Sequence, residues 1–262
     1  KNVISYLLPY WINEHAGLSS GTCSKIALAC SFGMISFMIQ DDIMDQDAAL
    51  TKADIVLSQL FAHEMHRLFN ELFESQSPFW LYYGRYMREW ADGALNEAEC
   101  DYYAESPLSV AKKASLVKLG GTAVLLLANR ARLIPDAEKA VEWTLVTLQM
   151  SDDWLDWNDD LASGSYNCLL AQIRRASHSE DPLTATTVKN HIFVRNTLEA
   201  YADQAERNLH HARAAFPEAA VLHAYHQSLT DGLRAAAALV GAKRKSLLTG
   251  GFYYLLRRST KT

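Results

Sequence analysis

Two aspartate-rich segments carry the side chains in this sequence whose types and spacing could do chemistry. The first is Asp41-Asp42-Ile43-Met44-Asp45, and the second contains Asp152, Asp153, Asp156 and Asp160. In each segment an aspartate recurs after four residues, so on a helix the carboxylates stack along one face. Stacked carboxylates repel one another and, near a helix C-terminus, oppose the helix dipole, at a cost of about 0.3–1 kcal/mol each unless a cation compensates. The spacing therefore predicts that cations bind at both segments.

A solvated helix end is the alternative interpretation of one such segment, because short motifs often occur by chance. Both segments here follow apolar stretches, residues 31–40 and 143–150, which predict buried helices that carry the aspartates at their ends. Mg²⁺ takes near-octahedral oxygen coordination from one or two carboxylates, waters and substrate phosphates. Two facing clusters therefore predict several Mg²⁺ ions that clamp a diphosphate, so that a carbon–oxygen bond can ionise as pyrophosphate leaves.

The elements that must position these aspartates are helices. Hydrophobic periodicity and Ser, Gly and Pro boundaries predict a short opening helix that ends near Gly17, then helices over about 21–46, 51–73, 78–104, 108–131, 135–160 and 184–212. A long helix follows Pro217, with a short basic helix from about 243. The Gly120-Gly121 pair predicts a kink. No stretch alternates with period two, so we expect an all-α antiparallel helical bundle with a central cavity, and a single domain over residues 1–262.

The composition supports a sizeable core and excludes several classes of protein. The chain has 262 residues, of which 49% are hydrophobic and 21% charged, so it is not disordered. Its net charge of −5 argues against a nucleic-acid partner. The four cysteines form no CxxC or zinc spacing and are expected to be reduced thiols of a cytoplasmic protein. No apolar run predicts a transmembrane segment or signal peptide, and a start at Lys1 instead of Met leads us to expect further residues upstream.

The paired motifs resemble those of the class I isoprenoid synthase superfamily, which includes trans-prenyltransferases, squalene- and phytoene-synthase-like enzymes and class I terpene cyclases. The segment from Gln40 to Asp45 is similar to the first DDxxD motif, and the segment from Gln149 to Asp156 is similar to the second. The continuation Asp160-x-x-x-Gly164-x-x-Asn167 resembles the tail of that motif in bacterial terpene synthases. The resemblance covers most of the chain and implies an isoprenoid-synthase-type bundle, a prenyl diphosphate substrate, Mg²⁺ and a homodimer.

A departure from the family pattern bears on the reaction. Elongating prenyltransferases carry an Arg pair shortly after the first motif and a Gly-Gly-Lys-Arg-type segment upstream, which together hold a second diphosphate. Here residues 46–52 read Gln-Asp-Ala-Ala-Leu-Thr-Lys, and the upstream segment is absent. We therefore expect a terpene synthase that cyclises one ionised substrate. The alternatives are a trans-prenyltransferase that condenses an allylic diphosphate with isopentenyl diphosphate, and a non-catalytic helical partner subunit of a prenyl synthase.

The resemblance also implies roles for individual side chains. Asp41, Asp42, Asp152 and Asp153 become catalytic and metal-binding aspartates, with Asp45, Asp156 and Asp160 as further metal ligands. The residues expected to contact the substrate are Gln40, Lys118, Gln149, Asn167, Phe37 and Gly33. Lys118 could instead extend its ammonium to solvent from an apolar helix. Phe37 lies one turn before Asp41, where its ring face would stabilise a carbocation, and Gly33 would deepen the pocket.

The C-terminus is basic, through Lys243-Arg244-Lys245 and Arg257-Arg258. We expect a solvated helix face there, because cations are favoured near a helix C-terminus. The competing interpretation is a lid whose arginines or tyrosines, Tyr253 and Tyr254, close on the diphosphate.

Overall fold

Helices make up the architecture of the protein. The computed structural model describes residues 3–44, 51–95, 103, 106–177 and 181–259, with side chains described as far as Ser246 and at Leu248. The α-helices in this part of the chain are α1 (Ile4–Asn13), α2 (Ser20–Met44), α3 (Lys52–Asn70), α4 (Phe79–Leu95), α5 (Lys118–Leu127), α6 (Ile134–Ser163), α7 (Cys168–Ser177), α8 (Ala185–Phe193), α9 (Thr197–Ala215) and α10 (Ala220–Ser259). Two 3₁₀ segments, Pro107–Val117 and Ala131–Leu133, precede α5 and α6. The described residues contain no strand, which confirms the predicted all-α class.

The long helix α6 runs through the bundle and carries the second aspartate cluster. It packs against α5, α7, α9 and α10, while α1 lies on α2 and α5 and α2 pairs with α3. Ala137, Val141 and Leu145 recur every four residues on its buried face. The buried apolar side chains of the described helices form one cluster. The aspartates therefore follow a stretch of α6 whose position is set by core packing.

The helix α2 is apolar on nearly every side but only partly buried. Gly33 and Ser36 are buried, whereas Leu28 and Met38 are exposed, although the sequence predicts burial on most sides. By length and composition α2 could cross a membrane, a test that core helices of soluble proteins also pass. The sequence predicts no transmembrane segment, so this property of α2 differs from the prediction. In the fold, α2 packs against α1 and α3.

The segment predicted as one helix over 108–131 has two parts. Pro107–Val117 is a 3₁₀ helix in which Ala114 has non-helical dihedrals, and the α-helix starts only at Lys118. The backbone continues as α-helix through Gly120, where a kink was predicted. Gly120 instead allows a close approach of α1, because a Cβ there would lie 2.9 Å from Cγ of Pro9.

Other boundaries also differ from the prediction. The helix predicted over 184–212 is divided into α8 and α9, since Asn196 adopts a left-handed φ of 62° between them. The helix α7 was not predicted, and α10 is continuous to Ser259 where a separate basic helix was expected from 243. The helix expected over 78–104 is described from Phe79 to Leu95, and its predicted end falls among residues 96–102, 104 and 105, which lie outside the described part.

A buried polar network joins α6 to α9 and α10. Nδ1 of His226 lies 3.1 Å from Oγ1 of Thr144, and Nε2 lies 2.8 Å from Oγ1 of Thr147. Asn208 donates to the same Thr147 hydroxyl at 3.3 Å. Burial lowers the pKa of His226 to about 3, so the imidazole is neutral at pH 7. The network fixes the central turns of α6 directly before the second aspartate cluster.

Candidate active site

An apolar cavity of about 170 Å³ lies at the C-terminal half of α2. Gly33, Phe37 and Asp41 line it at successive turns of α2, which together span about 12 Å at 1.5 Å per residue. Its charged lining residues are Asp41 and Lys113, whose side chains are both partly exposed. The cavity is therefore apolar in its depth and charged at its mouth.

The walls of the cavity come from several helices. The ring of Phe37 meets that of Trp90 from α4 edge to face, with centroids 4.9 Å apart. Leucines of α6 and the 3₁₀ segment supply further apolar surface. A Cβ at Gly33 would lie only 2.6 Å from Sδ of Met65, so glycine at this position allows the α3 side chain to reach the cavity. The predicted positions of Phe37 and Gly33 beside a pocket thus agree with the geometry.

The second aspartate cluster lines a groove that adjoins this cavity. Asp152, Asp156 and Asp160 lie along it at consecutive turns of α6. Lys113 lines both the groove and the cavity. Its Nζ lies 3.9 Å from Oδ1 of Asp41. Lys113 therefore lies beside the first aspartate of one motif and lines the same groove as the aspartates of the other.

Sequence reasoning missed Lys113. Its segment is a 3₁₀ helix, in which side chains recur every three residues, whereas the sequence predicts an α-helix with a different set of faces. The available signal was the Lys112-Lys113 pair in an otherwise apolar stretch. Lys112 forms a 2.5 Å ion pair with Asp92. Two adjacent lysines thus have different surroundings, which only the backbone geometry distinguishes.

Asp153 is hydrogen-bonded within the protein and buried, unlike the other aspartates of the motif, which are at least partly exposed. Its side chain is buried, Oδ1 accepts from the Gln149 amide at 2.7 Å, and Oδ2 accepts from the Cys168 backbone N–H at 2.6 Å. Burial raises the pKa of this carboxyl to about 6, although both hydrogen bonds act in the opposite direction. Because both oxygens bind protein donors, Asp153 anchors α7 to α6. Asp153 and Gln149 nevertheless both line the groove. The expected roles of Asp153 as a metal ligand and of Gln149 as a substrate contact therefore stay predictions.

Asn167 fixes the end of the same cluster. The helix α6 ends at Gly164, whose φ of +78° turns the chain back, as the predicted break required. The Asn167 amide then donates to Oδ2 of Asp160 at 2.7 Å and to the Asp153 carbonyl at 2.8 Å. Its own Oδ1 accepts from the Leu170 N–H at 3.0 Å, which caps α7. Asn167 therefore orients the Asp160 carboxylate, and a contact with substrate stays a prediction.

Lys118 is not among the residues that line the groove or the cavity. Its side chain is 2% exposed, and its Nζ lies 2.5 Å from Glu89 and 2.7 Å from Glu142. The ammonium also lies 4.7 Å from the ring centroid of Tyr86, whose hydroxyl bonds to Glu138. This ion-pair cluster joins α4, α5 and α6. The predicted contact of Lys118 with a diphosphate is not supported, because two carboxylates already engage its charge.

The other described polar residues of the first motif, Gln40 and Asp42, are not among those that line the cavity. Asp42 is exposed, and Asp45 lies outside the described residues. The Gln40 amide donates to the hydroxyls of Ser36 at 3.1 Å and Ser58 at 3.2 Å, which ties α2 to α3. Gln40 thus links two helices, and its expected contact with substrate stays a prediction.

The donor set can be compared with what Mg²⁺ requires. Among the described residues, no three His, Cys, Asp or Glu side chains are close enough to hold a metal ion unaided. Mg²⁺ bound with a diphosphate takes only one or two protein carboxylates and completes its shell with water and phosphate oxygens. Asp41 at the cavity, and Asp152 and Asp156 in the adjoining groove, could supply that number of carboxylates. The residues present thus suit ions that arrive with a phosphate substrate, and not a closed protein site.

The fold places the protein among known architectures. No protein-family model matches the sequence, and no curated protein matches it. A solved structure, the geranylgeranyl pyrophosphate synthetase from the archaeon Geoglobus acetivorans, superposes with a TM-score of 0.72 over 88% of this chain and 87% of that chain. The sequences are 14% identical, so the likeness concerns the fold. The protein therefore has an isoprenoid-synthase-type fold, which confirms the fold that the resemblance implies.

Proposed function

We propose that the protein is a Mg²⁺-dependent class I terpene synthase, which ionises an acyclic prenyl diphosphate and cyclises the resulting carbocation. The observation that carries this proposal is that Lys113 lines both the apolar cavity and the acidic groove. One lysine borders an apolar cavity with Asp41 at its mouth and a groove lined by four aspartates of α6. An apolar chain and a diphosphate head group need such an adjoining pair of environments.

In this proposal the groove residues bind the diphosphate and the cavity residues surround the carbocation. Asp41, Asp152 and Asp156 would hold Mg²⁺, whose charge assists departure of the diphosphate. The Lys113 ammonium binds the diphosphate oxygens through charge-assisted hydrogen bonds. The apolar walls exclude water from the cation, and the ring faces of Phe37 and Trp90 stabilise positive charge without supplying a nucleophile.

The prenyltransferase is the alternative because the superposed structure is named for synthesis of geranylgeranyl pyrophosphate. A chain-elongating enzyme holds two diphosphates and therefore needs a second cluster of cations. Residues 46–52 lack the Arg pair that would contribute to it in the related family, which favours cyclisation. The two reactions differ in whether isopentenyl diphosphate is consumed.

The experiment is a product analysis with geranyl, farnesyl and geranylgeranyl diphosphate and Mg²⁺, with and without labelled isopentenyl diphosphate. A terpene synthase releases pyrophosphate and a hydrocarbon or alcohol without isopentenyl diphosphate. Incorporation of the label into a longer diphosphate would instead establish elongation. Absence of turnover in all mixtures would support the non-catalytic partner and contradict both enzymatic readings.

Substitutions at two nearby aspartates of α6 test whether the groove is part of the active site. Asp156→Asn removes a groove carboxylate and should lower turnover about 100-fold, as expected when a stabiliser of developing charge is lost. Asp159 is exposed on another face of the same helix, so Asp159→Asn should retain activity within about twofold. Equal effects of the two substitutions would contradict the proposed site.

A further inference from the structure

The C-terminal end of the chain differs in charge from everything before it. Residues 232–262 contain seven Lys and Arg and no Asp or Glu. The preceding 231 residues carry 18 Lys and Arg against 30 Asp and Glu. Between the basic groups at 243–245 and 257–258, residues 247–256 include seven Leu, Phe and Tyr. The proposed reaction uses none of these residues.

The described side chains of α10 become more exposed as the helix enters this region. Its buried residues include Leu222, Leu233 and Val240, whereas residues 241–246 are all partly or fully exposed. Arg244 donates to the carbonyl oxygen of Val194 at 3.2 Å, which brings α10 beside the junction between α8 and α9. Leu248, one turn further, is 80% exposed. The helix itself continues to Ser259.

Exposed apolar and basic side chains therefore meet at one place on the surface. At the α8–α9 junction, Phe193 is 42% and Val194 is 65% exposed. Basic residues flank them, and residues 182–198 contain no acid. We call this surface the C-terminal patch and define it by Lys189, Phe193, Val194, Arg195, Lys243 and Leu248, of which all are exposed.

We propose that the C-terminal patch binds the surface of an anionic phospholipid bilayer. A basic surface with exposed Leu and Phe side chains suits the boundary between headgroups and acyl chains, where apolar groups insert and lysines meet anionic lipids. The apolar stretch at 247–256 is about half the length of a membrane span, which fits attachment to the interface and not crossing.

A second copy of the chain is a poorer occupant of the same surface. In a twofold dimer the patch would contact itself, which would bring two sets of lysines and arginines together without carboxylates. A solvated face is the other simple interpretation, but it gives no reason for exposing Phe193, Val194 and Leu248 side by side with the cations. An anionic bilayer satisfies both the charge and the apolar surface.

The test is flotation of the full chain with vesicles of phosphatidylcholine alone and of phosphatidylcholine with phosphatidylglycerol. We expect binding to the anionic vesicles, at least tenfold weaker binding to phosphatidylcholine, and weakening as salt is raised. Lys189→Glu with Lys243→Glu should lower the partition coefficient at least 25-fold, since each basic residue near an anionic surface contributes about a factor of five. Leu248→Ser should lower it about tenfold.

Matched controls use exposed residues elsewhere. Arg132→Glu with Lys139→Glu changes the net charge equally, and Leu81→Ser removes a leucine of α4 that is 76% exposed. Both should retain wild-type binding, and circular dichroism should show all variants folded. Absence of wild-type binding, or equal losses in patch and control variants, would overturn the proposal. It would also fail if the patch variants changed the molecular mass in solution and left vesicle binding unchanged, since the patch would then join two copies.

Discussion

The Lys113 ammonium nitrogen lies 3.9 Å from Oδ1 of Asp41, at the boundary between an apolar cavity and an acidic groove. This pair connects the end of α2 to the 3₁₀ segment that precedes α5. It places one positive charge beside the Asp41 carboxylate and along the aspartate-lined groove, where the carboxylates alone would repel an incoming diphosphate. The relationship makes Lys113, and not the predicted Lys118, the candidate cation for substrate binding.

Lys113→Gln should therefore lower kcat/KM for a prenyl diphosphate about 10- to 100-fold, because charge-assisted hydrogen bonds to the diphosphate are lost. Lys112→Gln is the matched control, since Lys112 forms its ion pair with Asp92. That substitution should change kcat/KM less than about threefold. Steady-state kinetics at saturating Mg²⁺ measure both, and a larger effect at Lys112 would contradict the assignment.

The two aspartate motifs could be predicted from the sequence because they depend on local periodicity. Spacing of four residues puts Asp152, Asp156 and Asp160 on one face of any helix, whatever packs around it. The apolar stretches before each motif likewise predict buried helices from hydrophobic pattern alone. The fold class and the proximity of the motifs to a cavity followed from these local features.

The roles of single side chains depend on contacts that local pattern does not contain. Lys118 meets Glu89 and Glu142, which are 29 and 24 residues away, so its engagement depends on how three helices pack. Asp153 differs from its neighbours in the motif because its carboxylate accepts a hydrogen bond from the backbone N–H of Cys168. Cys168 begins a helix that was not predicted. Lys113 was missed because a 3₁₀ segment changes which residues share a face.

Asp153→Asn should act on stability, whereas Asp156→Asn should act on turnover. The amide can accept one of the two hydrogen bonds that the carboxylate accepts, and its NH₂ group faces a donor at the other. We expect a loss of about 1–3 kcal/mol in the free energy of unfolding. Denaturant unfolding of the two variants measures this, and Asp156→Asn should unfold like the wild type. Unchanged stability in Asp153→Asn would show that Asp153 does not anchor α7.

Lys118→Met should destabilise the fold by about 3–5 kcal/mol, because Glu89 and Glu142 lose the cation that compensates them. Adding Glu89→Leu and Glu142→Leu should recover part of this loss, since apolar groups can replace a buried ion-pair cluster. Urea unfolding measures both steps. A variant that kept wild-type stability but lost turnover would restore the predicted role of Lys118 at the diphosphate.

His226 should make the fold sensitive to acid. Its pKa is lowered to about 3 in the folded protein by burial, with smaller contributions from His223 and Arg213, whereas an unfolded histidine titrates near 6.5. Between these values the unfolded state binds a proton that the folded state does not, so stability is lost as pH falls. From pH 7.5 to 5 this one group accounts for a loss of about 2 kcal/mol in the free energy of unfolding.

Replacing His226 by Gln tests this origin of the acid sensitivity. The variant should be less stable than the wild type at pH 7.5, because the contacts with Thr144 and Thr147 change. Its stability should nevertheless fall less between pH 7.5 and 5, by about 2 kcal/mol, since the titrating group is gone. His63 is exposed, so His63→Gln should retain the full wild-type pH dependence. Parallel pH profiles for the wild type and His226→Gln would rule out His226 as the source.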